Sequence, residues 1–291
     1  MQNFVGNAIN VSNSQWGEYE LLDSGDRLKL ERFGNVVVVR SEPKAWWKPS
    51  LPKSEWQKCN ARYFDDDKKN SAWKFFGGRV KAPVLSYGNI KFATKFMDGS
   101  KHLGVFPEQE PHWRLIAQNA RKDAKLLNLF GYTGAATLVA ANAGYEVVHV
   151  DASKPSIDWA RQNQLLSGLE NKPVRWILDD ALKFVKRQAR KGATYDAIVL
   201  DPPAFGRGPK KELWKLEKML PELLESCAEI LSKNPLFVVM TLYSIEASSI
   251  MAANMLKKFF PSASNITAGE LVLKNETPLP LSIYSAATWQ R

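Results

Sequence analysis

The fold is decided by residues 125–144, Lys125-Leu-Leu-Asn-Leu-Phe-Gly-Tyr-Thr-Gly-Ala-Ala-Thr-Leu-Val-Ala-Ala-Asn-Ala-Gly144. The apolar run at the start of this stretch predicts a buried strand, and its alanine-rich end predicts a helix. Between them, Gly131 and Gly134 allow a sharp turn and a close approach of the backbone to a ligand. We expect Thr133 to cap the helix, whose first N–H groups then face the strand end. Ligands bind at this edge of an open α/β sheet.

Carboxylates close three later apolar runs at regular intervals. Asp151 ends the run 147–150 and suits a ribose diol, and Asp180 follows the run 174–178, where it would accept a hydrogen bond from an adenine amine. The run 196–200 ends in Asp201-Pro202-Pro203. Two prolines remove backbone donors and stiffen this loop, which leaves the Asp201 carboxylate to face the reactive end of a cofactor. Phe205 is placed to stack on a planar substrate.

The spacing of the glycines indicates which class of cofactor the turn can bind. Nicotinamide and flavin enzymes use G-x-G-x-x-G to approach a pyrophosphate. This chain has only two glycines between Phe130 and Gly134 and no lysine of the P-loop type. An oxidoreductase is therefore the least favoured reading. A nucleoside cofactor without phosphates fits better, and this indicates S-adenosyl-L-methionine.

From residue 105 to residue 291 strands and helices alternate, which is the signature of a parallel sheet. The predicted strands are 126–130, 146–150, 174–178, 196–200 and 235–241, and the predicted helices are 111–120, 134–143, 154–167, 180–191, 211–232 and 245–260. Two final runs, 270–273 and 281–289, predict an antiparallel pair at the sheet edge. Lys210 and Lys211 would either bring positive charge to the mouth of the site or simply start a solvated helix.

Residues 1–104 have a different character and predict a small antiparallel β domain. Short β-like runs at 19–22, 27–30, 35–40, 73–76 and 90–96 surround a proline-containing segment, 41–67, that we expect to be irregular. Residues 40–104 contain fourteen lysines and arginines against six aspartates and glutamates, a local net charge of +8. Four tryptophans lie among these charges: Trp46, Trp47, Trp56 and Trp73. They indicate either a nucleic-acid surface or tryptophans that fill a core beneath solvated lysines.

The whole chain of 291 residues has a net charge of +10 and a pI near 9.4, which makes a polyanionic partner worth testing. Two cysteines and three histidines, none at metal-ligand spacing, predict no metal site. The first residues lack the features of a signal peptide, and no apolar run approaches the roughly 20 residues of a membrane helix. We therefore expect a cytoplasmic protein with no membrane contact; its oligomeric state is left open.

The stretch from Gly104 to Phe205 resembles the class I S-adenosylmethionine-dependent methyltransferases that form 5-methylcytosine or 7-methylguanosine in large-subunit ribosomal RNA. The matching pieces are Gly104-Val-Phe-Pro-Glu-Gln109, Asn128-Leu-Phe-Gly-Tyr-Thr-Gly134, Val150-Asp151, Asp179-Asp180 and Asp201-Pro-Pro-Ala-Phe205. The resemblance extends loosely to Arg291. It implies a Rossmann-like, seven-stranded methyltransferase sheet in residues 105–291. The RNA-binding module at the N-terminus of some relatives is not recognisable in residues 1–104, which we expect to form a different, small β-rich and basic substrate-recognition domain or one that only packs.

The resemblance also implies roles for individual residues. The methionine end of the cofactor would contact Asn128, Phe130, Gly131, Tyr132 and Gly134, with Asp151 on the ribose, Asp180 on the adenine and Asp201 beside the sulfonium. We expect the cofactor site to be completed by Phe106, Thr133, Ala152, Ser153, Asp179 and Ala181. The catalytic site would combine Asp201 with Pro202, Pro203 and Phe205.

The absence of a cysteine after one predicted strand limits which atom of the RNA can accept the methyl group. Family members that methylate carbon 5 of cytosine need a cysteine nucleophile after the strand that corresponds to 236–244, and this chain has Thr241, Leu242 and Tyr243 there. We therefore expect direct methyl transfer to a base nitrogen. Two alternatives stay open: a methyltransferase of the same fold that acts on a protein or small molecule, and a non-catalytic module that binds cofactor and RNA.

Overall fold

The computed structural model describes residues 9–12, 16–65, 71–243 and 245–290, which form two compact units. The first unit comprises Val11–Glu110 together with Val272–Leu281. The second comprises Pro111–Leu271 with the described parts of Met1–Asn10 and Ser282–Arg291. These limits differ from the predicted boundary between residues 104 and 105. A segment near the end of the chain joins the first unit, which a division along the sequence does not anticipate.

The elements up to residue 93 are short. In chain order they are β1 (Ile9–Ser12), β2 (Tyr19–Gly25), β3 (Leu28–Phe33), β4 (Val36–Ser41), α1 (Lys53–Trp56), β5 (Ala61–Phe64), β6 (Ala72–Phe75), β7 (Val84–Tyr87) and β8 (Ile90–Ala93). Strands β2 to β6 form a five-stranded sheet in chain order, and β7 and β8 pair separately as an antiparallel hairpin. The four consecutive valines of β4 favour a strand because β-branched side chains fit a pleated, half-buried surface.

The antiparallel β domain is confirmed, with one exception in its pairing. Strands β4 and β5 pair in parallel, whereas β2, β3 and β4 and then β5 and β6 pair antiparallel. Parallel neighbours need a long crossover, and the connection between β4 and β5 supplies it. The prediction that 41–67 is irregular is therefore wrong for α1 and β5. Residues 66 and 67 of that segment lie outside the described residues.

The four tryptophans of the basic segment have different environments. Trp73 is buried, packs against Tyr63 at 5.4 Å between ring centroids, and donates through Nε1 to the Ser100 carbonyl. Trp47 and Trp56 are half-buried. Trp46 is 79% exposed. The core interpretation thus holds for Trp73 and not for Trp46, and a nucleic-acid surface stays a prediction.

The second unit alternates helices and strands in the order that the sequence predicts. Its elements are α2 (Glu110–Gln118), β9 (Lys125–Leu129), α3 (Ala135–Asn142), β10 (Glu146–Asp151), α4 (Lys154–Leu166), β11 (Val174–Leu178), α5 (Ala181–Arg190), β12 (Ala197–Leu200), β13 (Phe205–Arg207), β14 (Leu213–Lys215), α6 (Leu216–Glu229), β15 (Phe237–Leu242), α7 (Ser249–Phe259), β16 (Asn265–Leu273) and β17 (Leu279–Thr288). A single turn of 3₁₀ helix, Pro107–Gln109, precedes α2.

The main sheet has eight strands in the order β1-β16-β17-β15-β12-β9-β10-β11. Strands β15, β12, β9, β10 and β11 are parallel to their neighbours, and β17 runs antiparallel to β15. Every residue of β12 and β15 is buried, as expected for a parallel sheet covered on both faces. The chain leaves β9 toward β10 and later returns to its other side at β12, so a ligand crevice is expected there. The predicted Rossmann-like fold class is confirmed.

Three predictions about this unit need correction. The final antiparallel pair is not at the sheet edge, because the order places β1 beyond β16. The helix predicted at 211–232 begins only at Leu216. The residues before it form an antiparallel hairpin, β13–β14, whose Leu213-Trp214-Lys215 alternates exposed, buried and exposed within a charged run. Lys210 and Lys211 lie in the loop of this hairpin and not in a helix.

Within the described residues, no helix is long and apolar enough to cross a membrane.

Candidate functional site

The glycine turn after β9 is built from unusual backbone angles. Phe130, Tyr132 and Gly134 have φ values of 58°, 48° and 86°, in the left-handed region that favours glycine. Gly134 occupies the N-cap position of α3 without a side-chain hydrogen bond, so the prediction that Thr133 caps this helix is wrong. Thr133 is buried, and its carbonyl accepts from Asn163 Nδ2 at 3.0 Å. The strain in non-glycine residues is typical of a backbone shaped by function.

Gly131 is required by space rather than by its backbone angle. A Cβ at this position would lie 2.5 Å from His149 Nδ1 and 2.9 Å from Asn128 Nδ2. These two side chains form a buried polar chain beneath the turn, since Asn128 donates to Thr137 Oγ1 at 2.9 Å and Thr137 Oγ1 lies 2.9 Å from His149 Nδ1. Burial lowers the pKa of His149 to about 3, so its ring is neutral. Asn128 thus supports the turn from below, and its predicted contact with a cofactor stays a prediction.

Asp151 ends β10 and is held by backbone donors. Its Oδ2 accepts from the N–H of Tyr132 at 2.8 Å, and its Oδ1 accepts from the N–H of Ser153 at 2.8 Å. Burial raises the pKa of Asp151, while the N–H groups of Ser153, Tyr132 and Ala152 lower it in part. Each carboxylate oxygen has a second lone pair for a ligand. The arrangement fixes both oxygens in position to accept from a vicinal diol.

Asp179 and Asp180 are tied to α5. Asp180 is its N-cap, and Oδ1 of this residue accepts from the N–H of Lys183 at 2.9 Å. Asp179 forms an ion pair with Arg187 at 2.6 Å and accepts from the N–H of Asp180 through its other oxygen. Capping uses one oxygen of Asp180, which leaves Oδ2 for a ligand. Of the two carboxylates, Asp180 is therefore better placed for the predicted adenine contact.

The loop after β12 carries the predicted catalytic residues. Asp201 is half-buried and donates its N–H to the Leu129 carbonyl at 3.4 Å. Pro202 is buried, and the Pro203 carbonyl accepts from Trp214 Nε1 at 2.6 Å. Trp214 packs in turn against Phe130 at 5.0 Å between ring centroids. This tryptophan thus joins the Asp-Pro-Pro loop to the glycine turn.

A cavity opens at this edge of the sheet. Seven predicted residues line it: Phe130, Asp151, Ala152, Asp179, Asp180, Ala181 and Pro203. Val150, Trp214 and residues 206–208 of the hairpin also line it. Phe205 is 56% exposed beside this cavity and does not contribute to its lining. Phe106 belongs to the first unit, where it packs against His102 at 5.1 Å.

Two residues of this region were missed by sequence reasoning. Trp214 was assigned to a helix, so its position over the glycine turn was not foreseen. Tyr243 follows β15, in the region where family members that methylate carbon 5 of cytosine have their cysteine nucleophile. Burial raises the pKa of Tyr243, and the charges of Asp201, Asp151 and Tyr132 raise it further. The register of β12 with β15, which pairs Leu200 with Met240, puts Tyr243 at the same sheet edge as Asp201.

Neither cysteine is suited to nucleophilic catalysis. Cys227 lies within α6 and is fully buried, and Cys59 is buried in the first unit. Burial raises the pKa of both thiols, so the reactive thiolate is disfavoured. In the described part of the chain, no three His, Cys, Asp or Glu side chains are grouped to hold a metal ion.

Comparison with known proteins assigns the class. The family model for S-adenosylmethionine-dependent methyltransferases matches residues 88–246, from β8 to the segment after β15. A methyltransferase structure from Agrobacterium tumefaciens, described as dependent on the same cofactor, is 41% identical with a TM-score of 0.93, and the match covers 97% of this chain and 93% of that one. The chain belongs to the S-adenosylmethionine-dependent methyltransferase family.

Curated relatives are matched over a smaller share of their length. Ribosomal RNA large subunit methyltransferase I of Pseudoalteromonas translucida is 29% identical over 207 residues, which are 70% of this chain and 49% of that protein. Ribosomal RNA large subunit methyltransferase K/L of Shewanella frigidimarina is 31% identical over 158 residues, 54% of this chain and 22% of that protein. The chain thus spans half or less of these relatives.

The site fits the cofactor of the family. The carboxylate of Asp151 is oriented by two backbone donors and lines the cavity, which also reaches Asp180. These features suit a ribose diol and an adenine amine respectively. S-adenosyl-L-methionine supplies an electrophilic methyl group on its sulfonium when it is bound.

Proposed function

We propose that the protein transfers a methyl group to a base nitrogen of large-subunit ribosomal RNA. The observation that carries the proposal is the position of Asp151, Asp201 and Tyr243 at the carboxyl ends of the parallel strands β10, β12 and β15 of one sheet. The charges of Asp201 and Asp151 also raise the pKa of Tyr243, after burial. The curated relatives named as ribosomal RNA methyltransferases support the substrate class, as does the net charge of +10. A ribosomal substrate would place the protein in the cytoplasm.

Direct transfer to nitrogen is supported by the side chains at this edge. Asp201 would accept a hydrogen bond from the N–H of the target nitrogen, which would orient that nitrogen, and would take up its proton as the new N–C bond forms. Phe205, 56% exposed beside the cavity, is available to stack on the target base. Catalysis would come mainly from positioning the two reactants in line.

A covalent route through cytosine carbon 5 is not supported by the chain. That route needs a thiolate close to the base, and the two cysteines are buried with raised pKa values. Tyr243 stands after β15 instead, and burial together with nearby carboxylates keeps its phenol protonated. A protonated phenol donates a hydrogen bond to a base and does not attack it.

Transfer of tritiated methyl from S-adenosyl-L-methionine to deproteinised large-subunit RNA tests the proposal. We expect label in nuclease-sensitive material with the wild-type protein and a loss of at least about 100-fold with Asp201→Ala, because an acceptor-aligning group contributes typically that much. Asp158→Asn is the matched control, since this exposed carboxylate on α4 only pairs with Lys154. Cofactor affinity, measured by calorimetry, should be equal in the wild-type and Asp158→Asn proteins. For Asp201→Ala, transfer is measured at saturating cofactor, so that weaker cofactor binding is not counted as a loss of transfer.

Label that resists nuclease and is lost on protease treatment would reject RNA in favour of a protein substrate. Cofactor binding without any transfer to RNA, protein or small molecules would make the chain a non-catalytic module.

A further inference from the structure

The most exposed of the large hydrophobic side chains described is on the basic first unit. Trp46 is 79% exposed, whereas Trp73 of the same basic segment is 7% exposed. A tryptophan in water lacks the stabilisation that burial of its large apolar ring usually contributes. We therefore expect a ligand to cover this side chain.

The loop that carries Trp46 is held on both sides. The Ala45 carbonyl accepts from the N–H of Arg27 at 2.7 Å, and the Trp47 carbonyl accepts from the N–H of Asp26 at 2.7 Å. Ala45 is fully buried, and Trp47 Nε1 donates to the Ser24 carbonyl at 2.9 Å. The Trp46 ring is fixed as well, because its Nε1 donates to the Pro43 carbonyl at 2.7 Å. A fixed ring loses little conformational freedom when a ligand binds to its face.

The turn that anchors this loop is itself strained. Asp26 and Arg27 have φ values of 47° and 62°, which glycine or asparagine would adopt at lower cost. Their N–H groups, which both point to the loop, are the ones that hold Ala45 and Trp47. These angles are the ones that a two-residue turn between paired antiparallel strands requires, since Gly25 pairs with Leu28 on either side of it. The turn thus holds the loop that carries Trp46 through two backbone hydrogen bonds.

The charges around the ring identify the occupant. Arg27, Lys44 and Lys48 are exposed and belong to this loop or to the turn that holds it. Lys44 Nζ donates to the Leu281 carbonyl at 2.6 Å, which leaves two of its three N–H groups for a phosphate. Lys48 pairs with Asp26 at 2.9 Å. The Lys48 side chain is 88% exposed despite this pair. An exposed aromatic face among cations is the combination that binds single-stranded nucleic acid, in which bases stack and phosphates meet positive charge. An acidic peptide would use the cations but would leave the indole face uncovered.

We propose that Trp46 stacks on an unpaired base of the RNA substrate while Arg27, Lys44 and Lys48 bind its phosphates. The inference rests on the proposed function, because it takes RNA as the substrate. It makes the first unit a single-strand-binding platform whose contribution is to substrate affinity and not to the chemical step.

Trp46→Leu and Trp46→Phe form the test pair, since leucine keeps apolar bulk and phenylalanine keeps an aromatic face. The probe is a fluorescein-labelled oligoadenylate followed by anisotropy. We expect Trp46→Leu to raise Kd about 10- to 100-fold and Trp46→Phe to change it by less than about 3-fold, given the usual contribution of a stacked base. In methyl transfer, Trp46→Leu should raise KM for RNA and leave kcat unchanged. Leu165→Ala, a change at a 61% exposed apolar residue of the other unit, is the control.

The salt dependence separates stacking from charge. Lys48→Ala should lower the slope of log Kd against log salt by about 0.7, the value for one phosphate contact on a single strand, and Trp46→Leu should leave it unchanged. An unchanged oligoadenylate Kd in Trp46→Leu would overturn the proposal, and so would an equal loss in Trp46→Phe. A change in sedimentation instead of RNA affinity would assign the tryptophan to a protein contact and equally overturn it.

The two proposals fail separately. Trp46-dependent oligoadenylate binding without methyl transfer to ribosomal RNA would refute the proposed function and keep the platform. Methyl transfer whose KM does not respond to Trp46→Leu would refute the platform and keep the function.

Discussion

Two carboxylates, the fully buried Glu31 of the first unit and the half-buried Asp151 of the second, have opposite electrostatic environments. Glu31 is fully buried and accepts from Arg40 Nε at 2.7 Å and Nη2 at 2.6 Å, with Lys29 at 3.7 Å. Burial alone would raise the pKa of Glu31, but Arg40 and Lys29 lower it below the ordinary value. Asp151 has no such cation, and its pKa is raised by burial.

The difference separates a structural charge from a functional one. Glu31 is neutralised inside the fold, so its lone pairs and its charge are already used. Asp151 is held only by backbone N–H groups, which orient it without cancelling its charge. A half-buried carboxylate with donors on one side and a cavity on the other is therefore the better candidate for a ligand contact.

The largest expected effect is on the stability of the first unit. Glu31→Gln leaves the buried Arg40 without its carboxylate partner, whereas Lys29 keeps Glu42 at 3.5 Å. We expect a loss of about 3–5 kcal/mol in the free energy of unfolding. Urea denaturation measures it. Glu20→Gln removes an exposed ion pair with Arg32 and should cost less than about 1 kcal/mol. Equal losses of stability from the two changes would show that Glu31 is no more important to the fold than an exposed carboxylate.

Asp151→Asn should show the reverse pattern. We expect S-adenosyl-L-methionine affinity to fall about 10- to 100-fold, since a hydrogen bond to a charged group contributes about 1.5–3 kcal/mol. The free energy of unfolding should fall by no more than about 1.5 kcal/mol, because only one backbone N–H loses its acceptor. Calorimetry and denaturation check the two halves. Unchanged cofactor affinity would remove Asp151 from the site.

Gly131→Ala tests the space under the turn. The new methyl would collide with His149 and Asn128, and overpacking of this kind costs about 1–3 kcal/mol. Gly17→Ala is the control, because a Cβ there meets no atom within 4 Å. If Gly131→Ala were as stable as Gly17→Ala, the buried side chains below the turn would be able to move aside for the new methyl group.

We also expect the free energy of unfolding to change with pH. Burial lowers the pKa of His149 to about 3 and that of His112 to about 4, well below an unfolded value near 6.5. The stability from these neutral rings is complete above pH about 6.5 and is lost as pH falls toward the folded pKa, at about 1.4 kcal/mol per pH unit for each ring. His149→Gln should reduce the slope by that amount. If the free energy of unfolding of His149→Gln changed with pH at the same slope as that of the wild type, His149 would be charged in the folded protein.

Much of the second unit was predictable because its signals are local. The strand ends near Leu129, Asp151 and Leu200 follow apolar runs, and the glycine turn has few conformations available. The hairpin before α6 was missed because Trp214 lies in a charged run that continues a helical pattern. The N-cap was misplaced because Gly134, in the left-handed region, takes the position that Thr133 would prefer.

The first unit was less predictable because its contacts are non-local. Trp46 and Trp73 are both flanked by lysines, and only the pairing of β5 with β6 buries the second. The backbone angles of Asp26 and Arg27 have no sequence signal, since neither is a glycine. Tyr243 was overlooked because its neighbours, Asp151 and Asp201, come from distant strands that the sheet order brings together.

Mass spectrometry of nucleosides from large-subunit ribosomal RNA, compared between cells with and without the gene, tests the central claim most directly. We predict that one nucleoside methylated on a base nitrogen disappears with the gene, returns with the wild-type protein and does not return with Asp201→Ala. Identical nucleoside profiles would contradict an RNA substrate. Loss of 5-methylcytosine would contradict direct transfer to nitrogen.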